Sequence, residues 1–254
     1  MYNHYTMLGR LDIKNTANIL GVDAMTLRRW DKGGVFSARR NSPTSHRYYY
    51  EDDLEDFLSK NYKYLLAMAR RWAFSKEATS NILPRFYCED SAVFKARLTK
   101  LGDILKKEVG LEESFSLITS VVGEIGNNSF DHNIGNWPDI MGIFFGFNLS
   151  EKKIILADRG QGVLTTLTKV APELKNDKEA LTVAFTKTLS GRPLEIRGNG
   201  LKYVKKIVEE FKMKLWFQSG GNIVIIDGNS DDLAIINAEQ KIRGCFVIID
   251  YKNL

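Results

Sequence analysis

Glu124, Asn128 and His132 stand four residues apart within Ser120–His132, S-V-V-G-E-I-G-N-N-S-F-D-H. On a helix that spacing stacks the three side chains on one face. A carboxylate, an amide oxygen and an imidazole placed so can hold a divalent metal and a water. Polar residues at helical spacing also make an ordinary solvated face, so the pattern alone does not decide. Two further blocks follow. Ile154–Ala157 is an apolar run closed by Asp158-Arg159-Gly160-Gln161-Gly162, which reads as a strand ending in a turn. Arg197-Gly198-Asn199-Gly200-Leu201 then opens an amphipathic helix, Lys202 to Val208.

The elements that must position these blocks are helices and strands in the last three fifths of the chain. Helices are expected over Phe94–Val109 and Leu111–Asn128. A hairpin is expected from Ile140–Phe147 and Lys153–Ala157, turned at Asn148–Glu151. Gly162–Arg197 reads as polar and irregular with one helix, Lys178–Thr188. The last strands are expected at Lys214–Gln218, Ile223–Asp227 and Cys245–Tyr251. The three blocks in this order resemble the GHKL (Bergerat-fold) ATP-binding domain of histidine kinases, anti-sigma-factor kinases, gyrase B, Hsp90 and MutL. The E-x-x-x-N-x-x-x-H form looks most like the anti-sigma kinases. The resemblance implies a two-layer α/β sandwich with helices on one face of a mixed, largely antiparallel sheet over 89–254.

The resemblance also implies roles. Asp158 would accept the exocyclic amine of adenine, with Gly160 and Gly162 keeping side chains clear of the base. Gly198, Gly200 and Leu201 open a helix whose free N–H groups suit phosphates, with Lys202, Arg192 and Arg197 as added charge. Asn128 would be the magnesium ligand and Glu124 the general base, assisted by Asp131 or His132. A plain turn, a solvated basic surface and a helix cap remain the alternatives for Asp158, for the cations and for His132. Gly244-Cys245 stands where the family has a Gly and a Thr that helps bind the base, a departure at the adenine end. The chain ends at Leu254, so a transducer domain with a catalytic lysine is not expected, nor fast turnover. No phosphoacceptor-histidine helix is recognisable, since His4 and His46 fall in the first part of the chain.

The first part reads differently. Asn15–Val22 is a short helix ending at Gly21, and Asp23 caps a second, Ala24–Trp30, that stops at Lys32-Gly33-Gly34. Two short helices joined at a glycine make a helix-turn-helix candidate with Ile19, Leu20, Val22, Leu27 and Trp30 as its core. Val35-Phe36 and His46–Tyr50 read as a two-stranded wing around Asn41–Ser45, and Glu51–Leu58 as an acidic helix. This stretch, about 10–60, resembles the MerR-type winged helix-turn-helix, also seen in excisionases. From Ala24 to Tyr50 there are six cations, Arg28, Arg29, Lys32, Arg39, Arg40 and Arg47, against Asp31 alone. They form a candidate face for double-stranded DNA, where phosphate contacts set most of the affinity. A helix-turn-helix used for protein contacts is the alternative. Asn61–Ser75 continues as a helix with Tyr64, Leu65, Met68 and Trp72 at helical spacing. It serves either to pair two copies, as in MerR-like homodimers, or as a strut between domains, with a linker near Ser80–Pro84.

The bulk composition sets bounds without choosing among these. The 254 residues, 44% hydrophobic with net charge +5, suit one large domain or two modest ones, and the fold class expected is α+β. Cys88 and Cys245 read as separate reduced thiols, and three histidines with two cysteines give no zinc spacing. No apolar signal core opens the chain, and Ile140–Leu149 is too short to span a bilayer, so a cytoplasmic protein is expected. Three functions follow from the two resemblances: a DNA-binding regulator set by ATP, an anti-sigma-type serine/threonine kinase acting on a small protein partner, and a degenerate site that only binds protein.

Overall fold

The computed structural model describes residues 9–76, 82–187, 200–230 and 233–254. It begins with β1 (Arg10–Asp12), which leads directly into helix α1 (Ile13–Leu20). Asp12 caps α1 by accepting from Asn15 N–H at 2.7 Å, and Gly21 closes it in the left-handed region at φ 68°. Asp23 then caps helix α2 (Ala24–Lys32) through Thr26 N–H at 2.6 Å. These short-range signals set the tight joint between the two helices. Strand β2 (Tyr48–Tyr50) pairs antiparallel with β1, Arg10 opposite Tyr50. Val35-Phe36 is not a strand: Val35 is exposed, Phe36 turns into the core, and a single Arg39–Tyr48 bridge holds the wing. Helix α3 (Glu51–Lys60) follows, its first-turn acids Glu51, Asp52 and Asp53 at the positive end of the dipole.

Helix α4 (Tyr62–Phe74) buries Leu65, Met68, Ala69, Trp72 and Ala73. It packs between the small N-terminal core, where Trp30, Phe57 and Tyr64 stack edge and tilt, and a sheet. A 3-10 turn at Pro84–Phe86 leads to β3 (Tyr87–Cys88), then helix α5 (Ser91–Leu105), capped by Asp90, and helix α6 (Phe115–Asn133). The hairpin β4 (Ile143–Asn148) and β5 (Lys153–Asp158) falls as expected. Helices α7 (Gly162–Leu167) and α8 (Asp177–Thr186) both lie in the stretch expected to hold one helix. The six residues of α7 are too few to show a helical period. Helix α9 (Gly200–Glu210) precedes β6 (Lys214–Asp227) and β7 (Leu233–Asp250).

The sheet runs β3-β4-β5-β7-β6, and every pairing is antiparallel rather than mixed. β6 doubles back on itself. Fourteen extended residues would set its ends about 45 Å apart, yet Gly228 N–H donates to Met213 O at 2.9 Å and Lys214 lies 2.6 Å from Asp227. That register places a two-residue turn at Gly220-Gly221, with Gly220 at φ 59° as a type II′ hairpin requires. The two arms are the two strands expected at Lys214–Gln218 and Ile223–Asp227. The first half of β7, from Leu233, was not expected as strand, and it pairs with the second arm.

Side chains alternate between two buried faces. Ile143, Phe145, Ile154, Leu156, Leu215, Val247 and Ile249 face α5, α6 and α9. Phe144, Ile155, Ala157 and Phe246 face the other way and meet Leu65, Met68 and Trp72 of α4. The expected two-layer sandwich therefore carries a third layer over part of its back face. Burying each such Leu or Met contributes roughly 1.5–3 kcal/mol. Asn148 Nδ2 also donates to Ser59 O at 2.8 Å, tying α3 to the sheet. The apolar face of α4 is covered by its own chain, at the small N-terminal core and at the sheet. Residues 77–81, part of the expected linker, lie outside the described residues.

Candidate functional site

Asp158 ends β5 with its carboxylate 2% exposed. Oδ1 accepts from Gly160 N–H at 2.9 Å and Cys245 N–H at 3.3 Å, and Oδ2 accepts from Ser129 Oγ at 2.8 Å. A side chain at Gly244 would run into Asp158, so the glycine is what lets β7 pass this close. Burial pushes the Asp158 pKa above the ordinary carboxylate range, although the three hydrogen bonds pull it down. Among the described residues Asp158 has no ion-pair partner. Buried charges are normally paired, so a carboxylate held only by neutral donors is a candidate ligand acceptor. The unexpected Cys245 contributes its backbone N–H here, and desolvation and then the Asp158 charge raise its thiol pKa. Cys88 is the other free thiol, pushed up to about 11 by burial.

The loop after Asp158 is read by α6. Asn133 lies directly under Gly160, where a side chain would clash. Its Oδ1 accepts from Gln161 N–H at 2.8 Å and its Nδ2 donates to Ser129 O at 2.8 Å. Gly162 opens α7 at φ 79° with no room for a Cβ against Arg243 O, and Val163 N–H donates to Ser219 Oγ at 3.0 Å. Arg159 turns away from this loop. It is 1% exposed, pairs with Asp139 at 2.6 Å and donates to Trp72 O at 2.5 Å. Asp139 also pairs with Arg243 at 2.5 Å. Burial opposes ionisation of Asp139, but these arginines and Ile140 N–H hold its pKa below the ordinary value.

Asn128 Nδ2 donates to Glu124 Oε1 at 3.3 Å, so the two residues share a face of α6 as expected. The carboxylate of Glu124 lies against Gly200, the first residue of α9, in the space a side chain there would take. The N-terminal end of α9 therefore faces one of the chain's own carboxylates. Tyr203 and Ser120 hydroxyls lie 3.0 Å apart and tie α9 to α6. Leu201 packs against the main core. Lys202 donates to Lys187 O at 2.6 Å, and burial lowers its pKa. Asp131 and His132 are exposed on the last turn of α6, with His132 O accepting from Gln161 Nε2 at 3.1 Å. Arg192, Arg197 and Gly198 lie outside the described residues.

One block is thus folded onto another: Asp158–Gly162 sits on α6 through Ser129 and Asn133. Those two residues, with Ser219, Asp139 and Arg243, escaped sequence reasoning. The Ser129–Asn133 pair had a signal, a second i, i+4 polar stripe beside Glu124–Asn128. Asp139 and Arg243 had none, being 104 positions apart. Among the described residues no group of three His, Cys, Asp or Glu side chains forms a metal site by itself. No described helix is long and apolar enough to cross a membrane.

The basic face of the N-terminal unit is smaller than its charge count. Arg28, Arg29 and Lys32 are exposed on α2 and make no ion pair among the described residues. Arg39 pairs with Asp53 at 3.4 Å, and Arg40 and Arg47 pair with Asp31 at 3.1 and 2.7 Å. Asp31 also accepts from Ala38 N–H at 2.9 Å, so it pins the wing to α2. Burial acts against its charge, but Arg47, Ala38 N–H and Arg40 outweigh it and its pKa is lowered.

Residues 11–66 match the MerR HTH family regulatory protein family. That stretch is a MerR-family helix-turn-helix domain, the domain of a DNA-binding regulator. No curated protein sequence matches the chain.

Proposed function

We propose that the chain is a transcriptional regulator that binds double-stranded DNA through α2 and the wing, and that ATP bound in a GHKL-type C-terminal domain sets its DNA-binding state. The observation that carries the nucleotide part is Asp158, a buried carboxylate with neutral donors and no cation. Oδ1 already accepts twice, while Oδ2, met only by Ser129 Oγ, keeps acceptor capacity for an adenine amine, whereas the carbonyl oxygen of guanine would be repelled. Gly160, Gly162 and Gly244 let Asn133, Arg243 O and Asp158 itself pack where their own side chains would otherwise stand. At the other end, Gly200, Leu201 and Lys202, with Gly198 and Arg197 before them, would take the phosphates. Asn128 would hold magnesium together with those phosphates, since magnesium takes few protein ligands. Phosphate and the Glu124 carboxylate then compete for the end of α9. Nucleotide binding in this reading moves Glu124 or α9, and the movement is the signal.

Two copies on one DNA site belong to this reading, and they meet through a surface other than the apolar face of α4. The kinase reading rests on Glu124, which sits beside Asn128 at the mouth of α9 where a general base for a small partner's hydroxyl would stand. Changing Glu124→Gln keeps ATP binding in both readings and stops phosphate release only if Glu124 is a base.

The test is calorimetry of the full chain with magnesium-ATP, beside Asp158→Ala and with GTP as control. Saturable ATP binding that the variant and GTP both lack is expected. Well-folded wild type that takes up no ATP would end the nucleotide reading and leave a DNA-binding protein whose C-terminal domain serves a protein partner.

A further inference from the structure

We propose that Arg159 is a positioning residue that links the Asp158 loop to the helix-turn-helix through two successive helix C-terminal caps. The proposal rests on the ATP-control reading above for what drives it, though not for the linkage itself.

The last four carbonyls of a helix have no partner within it, and the negative end of the dipole there favours a cation. Trp72 O is one of these in α4, and Arg159 Nη1 donates to it at 2.5 Å. Ile19 O is one of these in α1, and Arg71 donates to it. Gly21, lacking a side chain, leaves the space the Arg71 guanidinium fills. Arg71 and Trp72 are neighbours in the chain. Arg159 therefore holds the end of α4 from the nucleotide side, and Arg71, the residue before Trp72 in α4, holds the end of α1 from the DNA side. The joint after α1 aims α2, which carries Arg28 and Arg29.

Arg159 is not free to ignore Asp158. The two are adjacent in the backbone, and a guanidinium 1% exposed must keep its partners. Asp139 pairs with both Arg159 and Arg243, and Arg243 precedes the Gly244-Cys245 step whose N–H binds Asp158. The contacts close a ring, so a ligand pulling on the Asp158 carboxylate pulls on Arg159 from both sides. A cleft of about 490 Å³ lined by Asn18, Ile19, Arg71, Trp72 and Gln240 leaves this junction room to shift.

The test uses the full chain as wild type, Arg159→Lys and Asp139→Asn. Lysine keeps the charge but loses the fork; asparagine keeps the shape but loses the charge. Amide hydrogen exchange of residues 13–32 is read without nucleotide. DNA affinity is then read with and without saturating magnesium-ATP, on a duplex selected from a random pool by the wild type. Expected are faster exchange at the α1–α2 joint, ATP binding that is still saturable by calorimetry, and a collapse of the ATP-dependent ratio of DNA affinities toward one. Couplings of this kind typically span about 5- to 150-fold, which sets the size of the loss to be seen. Folded variants with wild-type exchange at 13–32 overturn the linkage, as do variants that keep the wild-type ratio. A wild type whose DNA affinity ignores ATP overturns the regulatory reading instead, and the exchange experiment still decides for or against the linkage. Should Arg159→Lys fail to fold, Asp139→Asn and Arg71→Gln carry the same measurements.

Discussion

Each half of the molecule holds a central aspartate, and they are held in opposite ways. Asp31 in the N-terminal unit meets two arginines and an N–H, and its pKa is lowered. Asp158 in the C-terminal unit meets a serine and two N–H groups, and its pKa is raised. A carboxylate neutralised on the spot fastens structure, here the wing to α2. A carboxylate buried without a cation among the described residues costs stability. The exposed charges tell the same story, since the arginines free to meet DNA are those that Asp31 and Asp53 do not engage.

The largest effect is expected where the halves join. Trp72→Ala should cost about 3–5 kcal/mol, as large aromatic truncations do. If α4 makes the halves one cooperative unit, hydrogen exchange will quicken in both; loss confined to one would separate them. Next comes Asp31→Ala, which strips the wing of its anchor. The site is partly solvated, so roughly 1–2 kcal/mol is expected, seen as a lower melting temperature and confined to residues 9–60. Arg29→Ala is the companion, and should weaken DNA binding about tenfold while leaving melting unchanged. An Asp31 variant that melts like the wild type would remove that half of the comparison.

The smallest effect has the opposite sign. Asp158→Asn fits the same donors, with Nδ2 turned to Ser129 Oγ, and should stabilise the nucleotide-free protein by about 1 kcal/mol while abolishing ATP binding. The pH dependence follows from the raised pKa. The folded state favours protonated Asp158, so the contribution of this group is largest below the unfolded pKa and is lost as pH rises through the folded one. The Asn variant should lack that loss, and in the wild type ATP affinity should fall as acid protonates the carboxylate. Melting curves across pH check both, and a variant less stable than wild type would refute the cost assigned to burial.

Much of the N-terminal unit was legible because its signals are local. Gly21 and Asp23 act within four residues of themselves, and the apolar spacing of α1 to α4 needs no partner to be seen. Strand β1 was missed because three residues cannot show an alternation. In the C-terminal unit the runs at Ile154–Ala157 and Ile140–Phe147 announced strands, the second beginning at Ile143 in the fold. The back-face layer was not legible, for the faces of a strand buried on both sides look alike in sequence.

By itself the sequence determined most of the helices and the strands of the central hairpin, since caps, periods and turn residues act over a few positions. Only the tertiary structure decided that α4 lies on the sheet, that Arg40 and Arg47 serve Asp31, that Glu124 faces the end of α9, and that Arg159 reaches Trp72. Those depend on contacts between residues distant in the chain, as Arg159 and Trp72 are at 87 positions. Burial and charge at such contacts are set by what folds over them, and neither can be read from neighbours in the chain.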